Sequence, residues 1–248
     1  MRFAFQHGWG FAAECWRGWL GLLPVGSVWA LGNRGYWGRE SPLDALALDG
    51  SPGPLVLICH SLGLHLLPDG LIEQARLLVI IGGFVHFHGQ SPDDGRFTRG
   101  HLQRLRSRLA ADPEALLRDF HRDCGCPWEP VPQAKEMDTE LLARDLNLLD
   151  QGRLQSRPAA TWPPTLILHG QDDRIVRPQR ARELAAFIPA SRLLMIAGAG
   201  HGLPFTHPET CMGLMGECFP AILAAGNVGN YPAAPHLLCH QPAHIPKV

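Results

Sequence analysis

Three short apolar runs each stop at a different reactive residue, and nothing else in the chain restricts its fold as strongly. Leu55-Val56-Leu57-Ile58-Cys59 ends at His60-Ser61-Leu62-Gly63. Thr165-Leu166-Ile167-Leu168-His169 runs into Gly170-Gln171-Asp172-Asp173, and Arg192-Leu193-Leu194-Met195-Ile196 runs into Gly198-Ala199-Gly200-His201. Continuous apolar runs of this length read as strands covered on both faces, which is the pattern of a parallel sheet. In open sheets of that kind, reactive groups gather outside the carboxyl ends of the strands.

Ser, then Asp, then His is the chain order of the α/β-hydrolases. The predicted fold is an α/β-hydrolase fold: a mostly parallel sheet flanked by helices, with an inserted helical cap and shortened N-terminal strands. A serine hydroxyl becomes a nucleophile when an imidazole takes its proton, and a carboxylate must fix that imidazole's tautomer. The catalytic set expected is Ser61, His201 and Asp173. Asp172 competes for the acid role, and Asp173 is preferred because Gly170-x-x-Asp173-x-x-Val176 sets it one turn past the strand. Ser61 is expected on a strained strand-to-helix turn, although Cys59 stands where the usual G-x-S-x-G pattern has its first Gly. At the N-terminus the strand Phe3-Ala4-Phe5 leads to Gln6-His7-Gly8-Trp9-Gly10, a turn suited to an oxyanion hole. Its expected donors are the amides of Trp9 and Leu62.

Periodicity divides the chain into a core over residues 1–83 and 163–225, a helical cap over 84–162 and an extension over 226–248. Further strands are expected at Ser27–Leu31 and Arg76–Ile81, and helices at 13–22, 102–110, 113–123, 140–149, 179–187 and 208–224. Trp9, Leu62, Phe84 and Phe205 are expected to wall an apolar acyl pocket. His60 and His65 read as packing residues, and His86 and His88 as loop residues.

Four motifs taken together resemble the pimeloyl-acyl-carrier-protein methyl ester esterases of biotin synthesis. They are His7-Gly8-Trp9-Gly10 through Trp16, His60-Ser61-Leu62-Gly63, Gly170-x-x-Asp173-x-x-Val176 and His201-x-x-Pro204-Phe205-x-His207-Pro208. The resemblance implies a carboxylesterase that removes a methyl ester from a carrier-bound acyl chain and needs no cofactor. Family members usually have Gly at the position of Cys59 and two strands ahead of the oxyanion turn. From Arg96 to Arg122 the chain carries seven arginines against Asp112, Glu114 and Asp119. Arg104 and Arg108 stand four apart, as do Arg118 and Arg122, so each pair shares a helix face. Charge alone reads as a solvated face; the resemblance implies that these arginines bind the substrate's acyl-carrier protein.

The near-neutral net charge of −1 argues against nucleic acid as a partner. The absence of an eighteen-residue apolar stretch argues against a membrane span, and no leader precedes the first strand. Seven irregularly spaced cysteines fit a reducing cytoplasm better than a disulfide framework. No metal is expected: Cys124-Gly125-Cys126 is too tight for a zinc pattern, and His236, Cys239, His240 and His244 have no zinc spacing. A monomer is expected. An esterase or thioesterase acting on another small acyl substrate would keep the same triad, whereas a non-catalytic binding protein on this fold would be expected to have lost part of it.

Overall fold

The computed structural model describes residues 1–43, 53–89, 92–126 and 131–223. Six strands form one sheet: β1 (Arg2–Gln6), β2 (Val28–Gly32), β3 (Leu55–His60), β4 (Leu77–Ile81), β5 (Thr165–Gly170) and β6 (Arg192–Ile196). Every pairing is parallel, in the order β2-β1-β3-β4-β5-β6. β3, β4 and β5 are buried at every residue, as their unbroken apolar sequences demand.

Alternation along each strand divides its side chains between two cores. Phe3, Phe5, Val56, Ile58, Val79 and Leu168 face one, while Ala4, Leu57, Cys59, Ile80 and Ile167 face the other. The registers pair Gln6 with Cys59, His60 with Ile81, and Gly170 with Ile196, so the strands that lead to the reactive residues finish level with one another. Cys59 therefore belongs to the core beneath the elbow, packed with Leu57, Leu64 and Ile80. Burial raises its thiol pKa, which keeps it protonated and unreactive.

The helices are α1 (Arg17–Leu20), α2 (Gly63–Leu66), α3 (Asp69–Gln74), α4 (Pro92–Ala111), α5 (Pro113–Asp123), α6 (Thr139–Gln151), α7 (Pro178–Phe187), α8 (Leu203–Thr206), α9 (Pro208–Cys218) and α10 (Pro220–Leu223). Between β4 and β5 come α4, α5 and α6. Their apolar residues Leu102, Leu105, Leu116, Leu117, Leu142 and Leu146 join the core on the side of Phe5 and Ile58. Asp112 and Asp138 cap α5 and α6 by accepting from the backbone N–H groups of Ala115 and Leu141.

Three helix expectations need correction. The segment 13–22 is a 3-10 turn, Ala13–Trp16, followed by a single α turn, because burying both Trp16 and Trp19 overrides propensity and Gly18 weakens a longer helix. α4 starts ten residues before the expected Leu102. Gly95 and Gly100 hide its start in the sequence, while Thr98 Oγ donates to the Asp94 carbonyl and contacts His88. The last helix breaks at Phe219, because Pro220 cannot continue it. The extension 226–248, with its His and Cys residues, lies outside the described residues. Among the described residues, no helix is long and apolar enough to cross a membrane, and no group of three His, Cys, Asp or Glu side chains is arranged to hold a metal.

Candidate active site

β3 ends at His60, and the chain reverses through Ser61 into α2. Ser61 has φ of 54°, the left-handed region that costs a residue with a Cβ about 1 kcal/mol or more. A hydrogen bond from its N–H to the Ile81 carbonyl (2.9 Å) holds it there. Two glycines permit the turn. A Cβ at Gly63 would lie 2.7 Å from the Gln6 carbonyl oxygen, and one at Gly8 would lie 2.9 Å from the Ser61 Cβ. The elbow and the turn after β1 are thus pressed together, backbone against backbone.

His201 and Asp173 arrive from the loops after β6 and β5. The Ser61 hydroxyl lies 3.1 Å from His201 Nε2, and His201 Nδ1 lies 2.8 Å from Asp173 Oδ2. The other carboxylate oxygen accepts from the backbone N–H groups of Ile175 (2.9 Å) and Val176 (2.8 Å). Asp173 and His201 are buried, whereas Asp172 is exposed and directs only its backbone N–H to the Ala199 carbonyl. Of the two adjacent acids, Asp173 is the one that reaches the imidazole.

Two more histidines support these three groups. His60 Nε2 donates to the His201 carbonyl (3.0 Å), and the two rings lie 4.7 Å apart. Burial keeps His60 neutral, with its pKa well below the ordinary value. His169 Nε2 donates to the Val176 carbonyl (2.8 Å), bracing the turn that carries Asp173.

Trp9 and Leu62, the expected oxyanion donors, occupy the turn after β1 and the residue following Ser61. The Trp9 indole N–H donates to the Leu142 carbonyl of α6 (2.9 Å), and its ring meets Phe120 of α5 edge-on at 5.1 Å. Phe205 packs on His60 at 5.0 Å and on Phe11 at 4.9 Å, behind the imidazole pair. Phe84 is buried and stacks on His65 at 4.8 Å.

The four cap arginines differ in their partners. Arg108 and Arg122 converge on Asp119, each at 2.5 Å, so part of the basic charge is neutralised within the cap. Arg104 is exposed on α4. Arg118 lines a cleft of about 560 Å³ with Trp37, Glu114, Val131, Pro132, Gln133 and Glu136, and Ser61, Asp173 and His201 do not line it.

Sequence reasoning passed over Asp145 and Arg34, and it read His7 as part of the turn without a role for its side chain. Asp145 did have a legible signal, since it stands at helical spacing among Leu141, Leu142, Leu146 and Leu149, all buried. An acid on the apolar face of a helix must have a partner.

Burial lowers the pKa of His7 and of His65 to about 4 each. The unfolded chain binds those protons near pH 6.5, so the stability is complete above that pH and is lost as the pH falls toward 4. By pH 5 each residue should withdraw about 2 kcal/mol. Urea unfolding at pH 7 and pH 5 checks this, and an unchanged midpoint would contradict it.

A parallel sheet that brings a serine elbow, a histidine and a carboxylate together at its carboxyl edge defines the α/β-hydrolase class. Residues 5–213 match the model of the alpha/beta hydrolase family, and the chain belongs to that family. It is 30% identical over 122 residues to a pimeloyl-[acyl-carrier protein] methyl ester esterase of Xanthomonas oryzae pv. oryzae, covering 49% of this chain and 45% of that protein. It is 44% identical over 62 residues to the polyketide synthase ThaQ of Burkholderia thailandensis, 25% of this chain and 3% of the synthase. The chain thus spans less than half the length of either curated relative. An esterase structure from Exiguobacterium antarcticum superposes with a TM-score of 0.71 at 16% identity, covering 90% of this chain and 92% of that one, which is a likeness of fold.

Proposed function

We propose that this chain is a serine carboxylesterase whose substrate is the methyl ester of a pimeloyl chain held on an acyl-carrier protein. The chemistry rests on one observation: the continuous hydrogen-bonded path from the Ser61 hydroxyl through His201 to Asp173. In this reading His201 takes the serine proton as Ser61 attacks the ester carbonyl, and Asp173 stabilises the imidazolium. The amides of Trp9 and Leu62 receive the developing oxyanion. Collapse expels methanol, protonated by His201, and leaves an acyl-enzyme. Water, deprotonated by the same imidazole, then releases the free acid and restores Ser61.

The choice of substrate is supported by the 30% identity to the Xanthomonas esterase and by the His7-Gly8-Trp9-Gly10 and Pro204-Phe205-x-His207-Pro208 motifs. Trp9, Phe84 and Phe205 would supply apolar wall for the acyl chain, and Arg104 and Arg118 exposed charge for the carrier. The match to a polyketide synthase favours a second reading, in which the same triad cleaves another acyl ester or thioester.

The test is complementation of a biotin-requiring bacterial strain that lacks its own pimeloyl ester esterase, with Ser61→Ala as control. Growth with the wild-type chain and none with the variant is expected. Failure of the wild type to support growth, despite soluble expression and activity on p-nitrophenyl butyrate, would favour the second reading.

A further inference from the structure

Every link in one hydrogen-bonded path runs from the cap to the turn beside Ser61. On α6, the buried Asp145 takes both ends of the Arg34 guanidinium, with Nε to Oδ2 at 2.8 Å and Nη2 to Oδ1 at 2.9 Å. The Tyr36 hydroxyl donates to the same carboxylate at 2.6 Å. A bidentate pair of this kind fixes direction as well as distance. Arg34 lies just beyond β2, and its backbone N–H donates to His7 Nε2 at 3.0 Å. An Nε2 that accepts must lack a proton, so the neutral ring carries its proton on Nδ1. That Nδ1 donates to the Gly8 carbonyl at 2.8 Å.

The last link has a geometric consequence. The carbonyl of Gly8 and the N–H of Trp9 belong to one planar peptide unit, where they point in opposite directions. Pinning the carbonyl toward His7 therefore aims the Trp9 N–H the other way. Gly8 lies directly against Ser61, where a Cβ on it would come within 2.9 Å of the serine Cβ. His121 of α5 grips the next carbonyl but one, donating from Nε2 to Gly10 at 2.6 Å. The turn is held from outside by its carbonyls.

We infer that Asp145, Arg34 and His7 form a positioning relay through which the cap sets the direction of the Trp9 oxyanion donor. None of the three touches the reacting atoms in this scheme. They act through the Gly8–Trp9 peptide, and removing them should weaken binding of the tetrahedral oxyanion while leaving ground-state binding intact. The inference rests on the reading of Ser61 as nucleophile and Trp9 N–H as donor.

The test compares the full chain with His7→Phe, His7→Asn and Asp145→Asn in steady-state ester hydrolysis. It also measures inhibition by an alkyl trifluoromethyl ketone, which adds to the serine to form a tetrahedral oxyanion. His7→Phe is expected to lower kcat about 100-fold, the loss that accompanies one missing oxyanion donor, with KM within about twofold. Its affinity for the ketone should fall by a similar factor. His7→Asn can still donate from its amide to Gly8 and should recover about tenfold of the loss, while Asp145→Asn should lower kcat about five-fold. A purely structural role would change the amount of folded enzyme without moving ketone affinity in step with kcat. If His7→Phe does not fold, Arg34→Gln, altered at a partly exposed side chain, takes its place with an expected loss of about five-fold in both quantities. Wild-type kcat in a folded His7→Phe or Arg34→Gln, or a change in KM alone, overturns the relay. Because Ser61→Ala is measured in parallel, an inactive Ser61→Ala beside a fully active His7→Phe rejects the relay alone. An active Ser61→Ala rejects the nucleophile itself.

Discussion

Ser61→Ala is expected to abolish hydrolysis of p-nitrophenyl butyrate, lowering kcat by about 10⁵- to 10⁶-fold while the protein remains folded. The size follows from position. Ser61 supplies the only hydroxyl within hydrogen-bond reach of His201 Nε2 among the interactions described, at 3.1 Å, so no neighbouring group inherits the role. The fold should survive because the elbow is held by backbone contacts that alanine keeps. These are the Ser61 N–H to the Ile81 carbonyl and the close approach of Gly63 to the Gln6 carbonyl. Ser61→Gly gives a sharper version of the same result. With φ at 54°, glycine relieves the strain and should raise stability by about 1 kcal/mol while removing activity equally. Turnover retained by either variant, measured alongside thermal unfolding, would overturn the assignment.

Asp173→Asn should lower kcat by about 10⁴-fold, and Asp172→Asn by no more than about twofold. The contrast comes from two backbone amides. Asp173 Oδ1 accepts from Ile175 and Val176, so an asparagine must place its carbonyl oxygen there. Its NH₂ then faces His201 Nδ1, where the carboxylate had been an acceptor at 2.8 Å. Donor cannot face donor, so the imidazole must shift its proton to Nε2. In that tautomer Nε2 cannot accept the proton of Ser61. Asp172 is exposed and makes no side-chain contact with the imidazole. Equal losses in the two variants, or none in Asp173→Asn, would contradict this arrangement.

How much of this was legible beforehand differs from residue to residue. The runs at 55–59, 165–169 and 192–196 announce buried strands because a strand covered on both faces needs apolar side chains at every position, and β3 and β5 are buried throughout. The residues that follow them inherit their place from the sheet, which is why Ser61, Asp173 and His201 could be named together from spacing alone. The helices were read less well. Gly95 and Gly100 concealed the first half of α4, and the double tryptophan pulled 13–22 away from a regular helix. The paired spacing of Arg104, Arg108, Arg118 and Arg122 says only that each pair shares a helix face. No local pattern reveals that Arg108 and Arg122 both turn to Asp119, a contact made between two helices.

The local sequence, with its unbroken apolar runs and the small residues that follow them, determined the parallel sheet, the elbow and the order of the three reactive groups. These depend on side-chain period and on residues adjacent in the chain. Tertiary structure alone decided where Cys59 points, which arginines pair within the cap and how the turn at Gly8 is held. Each of those depends on groups brought together from distant segments. Asp145 reaches Arg34 across 111 residues and His201 reaches Ser61 across 140, separations over which only the packed sheet and cap fix direction to within a hydrogen bond.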